Sequence, residues 1–248
     1  MWRDRENEAL DMRKIFSALA LAAWGVGSSV AAQNSMVVVE LYTSQGCSSC
    51  PPADEILAEV SKRDDVIALG LHVDYWDYLG WRDTLALPAF TERQARFNTI
   101  MKSRYRLVTP QMIFQGQDYV AGTKPRKSRE YIDMLSAREE TAALTTKADG
   151  GTLSIDLAPV GAPTKGAEIY LVRYLPKVDV AIKRGENAGR RISYVNTVTH
   201  WDTVGTWDGA SAASFKAPLI EGGEYAVIVQ TQNLGPILVA RKVELPGS

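Results

Sequence analysis

The two cysteines of the chain, Cys47 and Cys50, stand in a single Cys-Ser-Ser-Cys motif. This spacing lets the second sulfur reach the first across one helical turn, the arrangement for thiol–disulfide exchange in which Cys47 forms a mixed disulfide and Cys50 resolves it. The motif sits between a β-branched apolar run and an amphipathic segment. Cys47 is thereby expected at a helix N-terminus, where unpaired N–H groups and the helix dipole stabilise a thiolate. Zinc is the competing chemistry for such a pair, but a closed site needs four ligands and only His72 and His200 could add to the two thiols. A copper site at Cys47, Cys50 and His72 is the binding-protein alternative. A purely structural bridge is the third reading, although closing so short a loop removes little unfolded-state entropy.

Composition narrows the classes around this motif. With 46% hydrophobic and 23% charged residues over 248 positions, the chain has the content of an ordinary globular protein, which excludes disorder, collagen and a polytopic membrane protein. Twenty-eight basic residues balance 29 acidic ones, so no global field favours nucleic acid or an anionic membrane. At the N-terminus, Arg13 and Lys14 precede an apolar run from Ile15 to Val30 that ends in Ala31 and Ala32. That order is a secretory signal peptide over residues 1–32, with Met12 the expected start, cleavage after Ala32 and no stable membrane span afterwards. The mature chain is therefore expected in the periplasm or outside the cell, where a cysteine pair can cycle or remain oxidised.

The elements that must position the motif follow from periodicity. Met36 to Tyr42 has the composition and length of a buried strand, and Ala53, Ile56, Leu57 and Val60 recur at helical spacing within an expected helix from about Ser48 to Ser61. Asp54, Glu55 and Glu59 occupy its polar side. Val66 to Asp74 alternates as a second strand, completing a βαβ unit with parallel strands. Thr91 and Gln94 form a capping-box pattern opening a helix to about Lys102, with Phe97, Ile100 and Met101 on its apolar face. Val108 to Gln115 and Tyr119 to Gly122 are expected to pair across Gly116 and Gln117, before a helix from Ser128 that carries Tyr131, Met134 and Leu135. Beyond Thr152 only strand-like runs appear: Leu153 to Leu157, Ile169 to Tyr174, Val178 to Ile182, Ile192 to Val198, Tyr225 to Gln230 and Ile237 to Val243. The expected fold is an α/β domain over 33–148 followed by an all-β, antiparallel sandwich-like domain over 149–248.

The order strand, Cys-x-x-Cys at a helix start, strand, helix, then Thr109-Pro110 before a hairpin and a last helix resembles the thioredoxin-like superfamily over residues 36–140. The resemblance implies that Pro110 is cis and that the Thr109 backbone pairs with an extended substrate. It also implies a buried acid as proton shuttle, for which Glu40 is the candidate. The stretches from Glu40 to Asp54, His72 to Asp77, Tyr105 to Gln111 and Gly185 to Arg190 are similar to a secreted bacterial family catalogued as domain of unknown function twelve-twenty-three. The motif departs from ordinary thioredoxins in having Gly46 before the first cysteine, a Ser-Ser pair between them, and Pro51-Pro52 after them. Intervening groups tune thiolate stability, so the direction of exchange stays open.

Around the motif, Asp74, Tyr75, Trp76, Asp77 and Trp81 form either a substrate wall or ordinary loop packing. Arg104, Tyr105 and Arg106 are a basic patch before Thr109, and Gly185 to Arg190 is a β-turn. The expected activity is thiol–disulfide oxidoreduction without a cofactor, with Cys47 as nucleophile, Cys50 as resolving thiol, Thr109 and Pro110 shaping the groove and Glu40 carrying a proton. Its partners would be a thiol or disulfide client and a redox partner, with no nucleic acid. The alternative is a non-enzymatic adaptor, with or without copper.

Overall fold

Two apolar runs, β1 (Val37–Thr43) and β2 (Val66–His72), are buried along their whole length. Strands covered on both faces carry continuous rather than alternating apolar sequence, and these two pair in parallel from Val37–Val66 to Thr43–His72. The computed structural model describes residues 35–246, so the signal-peptide segment lies outside the described residues. The crossover between the two strands is α1 (Pro51–Val60), which buries Ala53, Ile56, Leu57 and Val60 against β1. Next come α2 (Pro88–Ile100), the hairpin β3 (Gln111–Phe114) and β4 (Asp118–Ala121), and α3 (Pro125–Ser136). Helix α2 begins four residues earlier than its capping-box pattern suggests, with Leu87 rather than Thr91 as N-cap, because Pro88 suits the first helical position; Thr91 instead donates to the Asp74 carboxylate at 2.6 Å.

The remaining strands are β5 (Ala142–Asp149), β6 (Thr152–Pro159), β7 (Ala167–Ala181), β8 (Arg191–Trp207), β9 (Ala213–Pro218), β10 (Glu224–Thr231) and β11 (Ile237–Lys242). They overturn the expected fold class, an α/β thioredoxin-like domain followed by an all-β, sandwich-like domain. Strand β8 docks parallel on the free edge of β2 at Gly70–Thr197, and one mixed eight-stranded sheet results, ordered β11-β10-β7-β8-β2-β1-β3-β4. The fold is mostly β-sheet, with three short α-helices among the described residues. The physical reason is that β2, buried on both faces, would otherwise present an unpaired edge. Gly70 lets β8 come close: a Cβ there would lie 3.3 Å from the Val195 carbonyl oxygen.

Alternation along the strands assigns the layers. Val38 and Tyr42 of β1, Tyr170 and Val172 of β7 and Ile228 of β10 share one core with Phe90 and Phe97 of α2. On the opposite face, Val37, Val39 and Leu41 pack under α1 and α3. The small sheet β5-β6-β9 covers Ile169, Leu171 and Val227 through Leu144, Ile155 and Leu157. Ile100, expected on the apolar face of its helix, is exposed. Among the described residues no helix is long and apolar enough to cross a membrane.

Candidate functional site

Cys47 and Cys50 are joined as a disulfide, their Cα atoms 5.4 Å apart. The pair sits where β1 ends and α1 begins, but the helix starts at Pro51 and Cys50 is its N-cap. Cys47 therefore lies one turn further out than the apolar spacing suggests, since Pro51 and Pro52 fix the first helical φ and need no N–H partner. The loop is held by its own backbone, with Cys47 N–H donating to the Ser44 carbonyl and Cys50 N–H to that of Cys47. Cys50 is fully buried and Cys47 keeps 3% exposure.

Three walls hold this loop. The aromatic segment supplies the first: Trp76 donates its indole N–H to the Thr109 hydroxyl at 2.7 Å, and Trp81 donates to the Gln45 side-chain oxygen at 2.8 Å. Thr109 and Pro110, joined by a cis peptide, are thus coupled to the cysteine loop through Trp76. A Cβ on Gly46 would lie 3.1 Å from the Trp76 Cβ, which is why this position carries no side chain. The second wall comes from the loop between β7 and β8. Asn187, almost fully buried, donates through its amide to the carbonyls of Gln45 and Cys47, while the Glu186 carboxylate accepts from the Ser48 N–H at 3.4 Å. In sequence this segment carries a β-turn and a family-like stretch, neither of which points to the cysteines. Gly185, at φ +76, packs close enough to Trp81 that a Cβ would stand 3.1 Å from the indole side chain's Cβ.

The third wall is a buried polar cluster on the α1 side of the sheet. Thr43 and His72 project there because they alternate with the residues facing α2. His72 Nδ1 lies 2.8 Å from the Asp83 carboxylate, which also accepts from the Gln45 N–H, and its ring meets Tyr194 edge-on at 4.6 Å. Asp54, one turn after Cys50, donates its N–H to the Cys50 carbonyl and is 8% exposed. Burial pushes its carboxyl up to about 7; His72 and Thr43 oppose that rise, and the charges of Asp83 and Glu55 add to it. Burial, then the charges of Asp54 and Asp83, push the Tyr194 phenol upward. Among the described residues Asp54 Oδ2, His72 Nε2, Tyr194 Oη and Thr197 Oγ1 are buried without a hydrogen-bond partner. A buried carboxyl whose range is raised to about 7 can hold or release a proton near neutral pH.

Glu40 is not brought to the cysteines. It shares the face of β1 that points to α2, where Arg93 donates to both its oxygens at 2.8 Å and the Tyr42 hydroxyl donates at 2.9 Å. His72, the histidine of the copper alternative, is engaged with Asp83, and no group of three or more His, Cys, Asp or Glu is placed to hold a metal among the described residues. Arg104 stacks over Tyr105, with its guanidinium 4.6 Å from the ring centre. Sequence reading passed over Asp83, which carries no motif, and placed Asp54 on the solvent side of its helix.

The family model described as protein of unknown function (DUF1223) matches residues 38–232. An X-ray structure of a protein from Agrobacterium tumefaciens is similar at 33% identity and TM-score 0.73, covering 88% of this chain and all of that one (100%). HBP35 of Porphyromonas gingivalis is similar in fold, with TM-score 0.59 and 14% identity over 87% of this chain and 76% of that one. No curated protein matches.

Proposed function

The chain belongs to the family described as protein of unknown function (DUF1223), and from that premise we propose that it is an exported thiol–disulfide oxidoreductase working through Cys47 and Cys50. The observation that carries this reading is the asymmetry of the disulfide: it closes at the head of α1 with Cys50 sealed and Cys47 alone retaining exposure. A client thiolate attacks Cys47 Sγ, the Cys47–Cys50 bond breaks, and its electron pair leaves on Cys50 as a thiolate. Asp54 in its protonated form supplies a proton to that sulfur. A second client thiolate then attacks the client sulfur of the mixed disulfide and releases Cys47. In the reverse direction the Asp54 carboxylate takes the Cys50 proton. Thr109, Pro110 and Trp76 border the approach to Cys47, and the basic-then-apolar order of Arg13 to Ala32 supports export.

Cys50→Ser tests the reading. The Cys47 thiolate of this variant attacks a client disulfide and expels one client sulfur as a thiolate; with no Cys50 to resolve it, the mixed disulfide accumulates in exported-protein extracts and vanishes on reduction. It is absent from Cys47→Ser. No adduct in Cys50→Ser, with the protein folded, would reduce the pair to a structural bridge and favour the adaptor reading.

A further inference from the structure

A groove of about 380 Å³ begins at Pro51, the residue after Cys50, and runs between α1 and the start of β8. Its volume falls within the range of small-ligand sites, about 300–1,000 Å³. The lining charges are of both signs. Arg190 and Arg191, both exposed, stand on one bank; Glu55 stands on the other with Asp54 buried beside it. Arg190 emerges directly from the loop whose Asn187 holds the Cys47 carbonyl, and Pro51 at the groove's end follows Cys50 in the chain. Asp54 joins them from the other side, since its N–H is bonded to the Cys50 carbonyl. Two guanidinium groups facing the exposed Glu55 carboxylate suit neither a neutral ligand nor a simple anion; they complement a molecule carrying carboxylate and ammonium groups together.

We propose that this groove binds a small zwitterionic amino-acid thiol of up to tripeptide size, and that this thiol is the redox partner of the Cys47–Cys50 pair. The assignment rests on the oxidoreductase reading and names its substrate class. Carboxylate groups of the ligand pair with Arg190 and Arg191, its ammonium pairs with Glu55, and its sulfur extends past Pro51 to Cys47. The thiolate attacks Cys47 Sγ, the Cys47–Cys50 bond breaks, and Cys50 leaves as a thiolate that takes a proton. A second molecule attacks the ligand sulfur of the mixed disulfide, releasing Cys47 as a thiolate and leaving the low-molecular-weight disulfide. Two thiols are oxidised for each protein disulfide reduced.

The test compares glutathione, which carries these groups, with 2-mercaptoethanol, which does not, as reductants of the oxidised full-length protein. Reduction by glutathione saturates with concentration, while reduction by 2-mercaptoethanol rises linearly. In Arg190→Gln/Arg191→Gln the ratio of the glutathione rate to the 2-mercaptoethanol rate falls roughly tenfold, equivalent to about 1.4 kcal/mol of lost binding. Arg190→Lys/Arg191→Lys restores part of that ratio. A redox-inert analogue, S-methylglutathione, binds the wild type measurably by calorimetry and the double glutamine variant more weakly. If both thiols react linearly and the ratio is indifferent to the arginines, the groove assignment is overturned and the oxidoreductase reading stands. If neither thiol reduces the pair, both are overturned.

Discussion

The side-chain amide of Asn187 donates to the carbonyl oxygens of Gln45 and Cys47 at 3.0 and 2.9 Å, from 142 and 140 positions further along the chain. One buried residue of the β7–β8 loop thus fixes the shape of the cysteine loop. Truncation by Asn187→Ala would leave two carbonyls without their donor, a loss of about 2 kcal/mol or more. The unfolding midpoint in urea should drop accordingly, and the reduced protein should be alkylated faster at Cys47. An unchanged midpoint and alkylation rate would mean that Asn187 does not hold the loop.

Asp54 predicts an unusual pH dependence of stability. In the folded protein its carboxyl keeps its proton up to about pH 7, whereas in the unfolded chain it loses it in the usual carboxylate range. Between those limits the folded state binds more protons, so stability falls as pH rises through the window. About three units of difference correspond to something on the order of 4 kcal/mol. Asp54→Asn removes the slope: the variant should match the wild type near pH 4 and exceed it at pH 8. Parallel wild-type and variant curves from denaturant titrations at several pH values would show that Asp54 does not titrate in this way.

Glu40 is predicted to act on stability rather than on sulfur chemistry. Its ion pair with Arg93 is nearly enclosed, and the Arg93 guanidinium also lies 4.0 Å from the centre of the Trp201 ring. Glu40→Gln leaves a buried guanidinium without its counter-charge, which costs about 3–5 kcal/mol. Exchange kinetics of the folded fraction should shift less than twofold. A large rate loss with intact stability would return Glu40 to the site.

Gly46 gives a steric test of the aromatic wall. A methyl group there would press on the Cβ of Trp76 at 3.1 Å and on its carbonyl oxygen at 3.3 Å. Gly46→Ala should cost about 1–3 kcal/mol through overpacking and weaken the Trp76–Thr109 contact, read as a change in tryptophan fluorescence. A silent substitution would mean that the loop and the motif are not packed as described.

Much of this was legible where the signal is local. The run Val37–Thr43, the apolar spacing from Ala53 to Val60 and the Gly116-Gln117 turn announce β1, α1 and the β3–β4 hairpin directly. The C-terminal strands were harder to place because their pairing is long-range. Ile169 to Tyr174 and Val178 to Ile182 read as separate strand-like runs, yet the first and all but Ile182 of the second belong to β7, which continues through Pro176. It falls between the paired residues Leu175–Thr197 and Lys177–Val195, facing Asn196 at φ +47, where a missing N–H disturbs little. Asn196 then donates to the Ala68 carbonyl at 2.9 Å, helping to fasten β8 to β2. No periodicity within either segment encodes that register. Strands β5 and β9 were missed because their outward residues are polar and their inward ones few. At the site, the cysteines and Thr109-Pro110 were visible as motifs, whereas Asp54 was assigned to solvent by a helical wheel that could not foresee β8 covering that side.

The central claim is that the Cys47–Cys50 disulfide exchanges with external thiols, and its equilibrium reduction potential tests this most directly. The purified protein is equilibrated with defined ratios of reduced and oxidised dithiothreitol or glutathione, the thiols are trapped, and the two states are counted by mass. The account predicts a potential between about −120 and −270 mV, the span of exchange catalysts, with the value fixing the direction of electron flow. A potential below about −300 mV would mark a reduction-resistant structural bridge and contradict it.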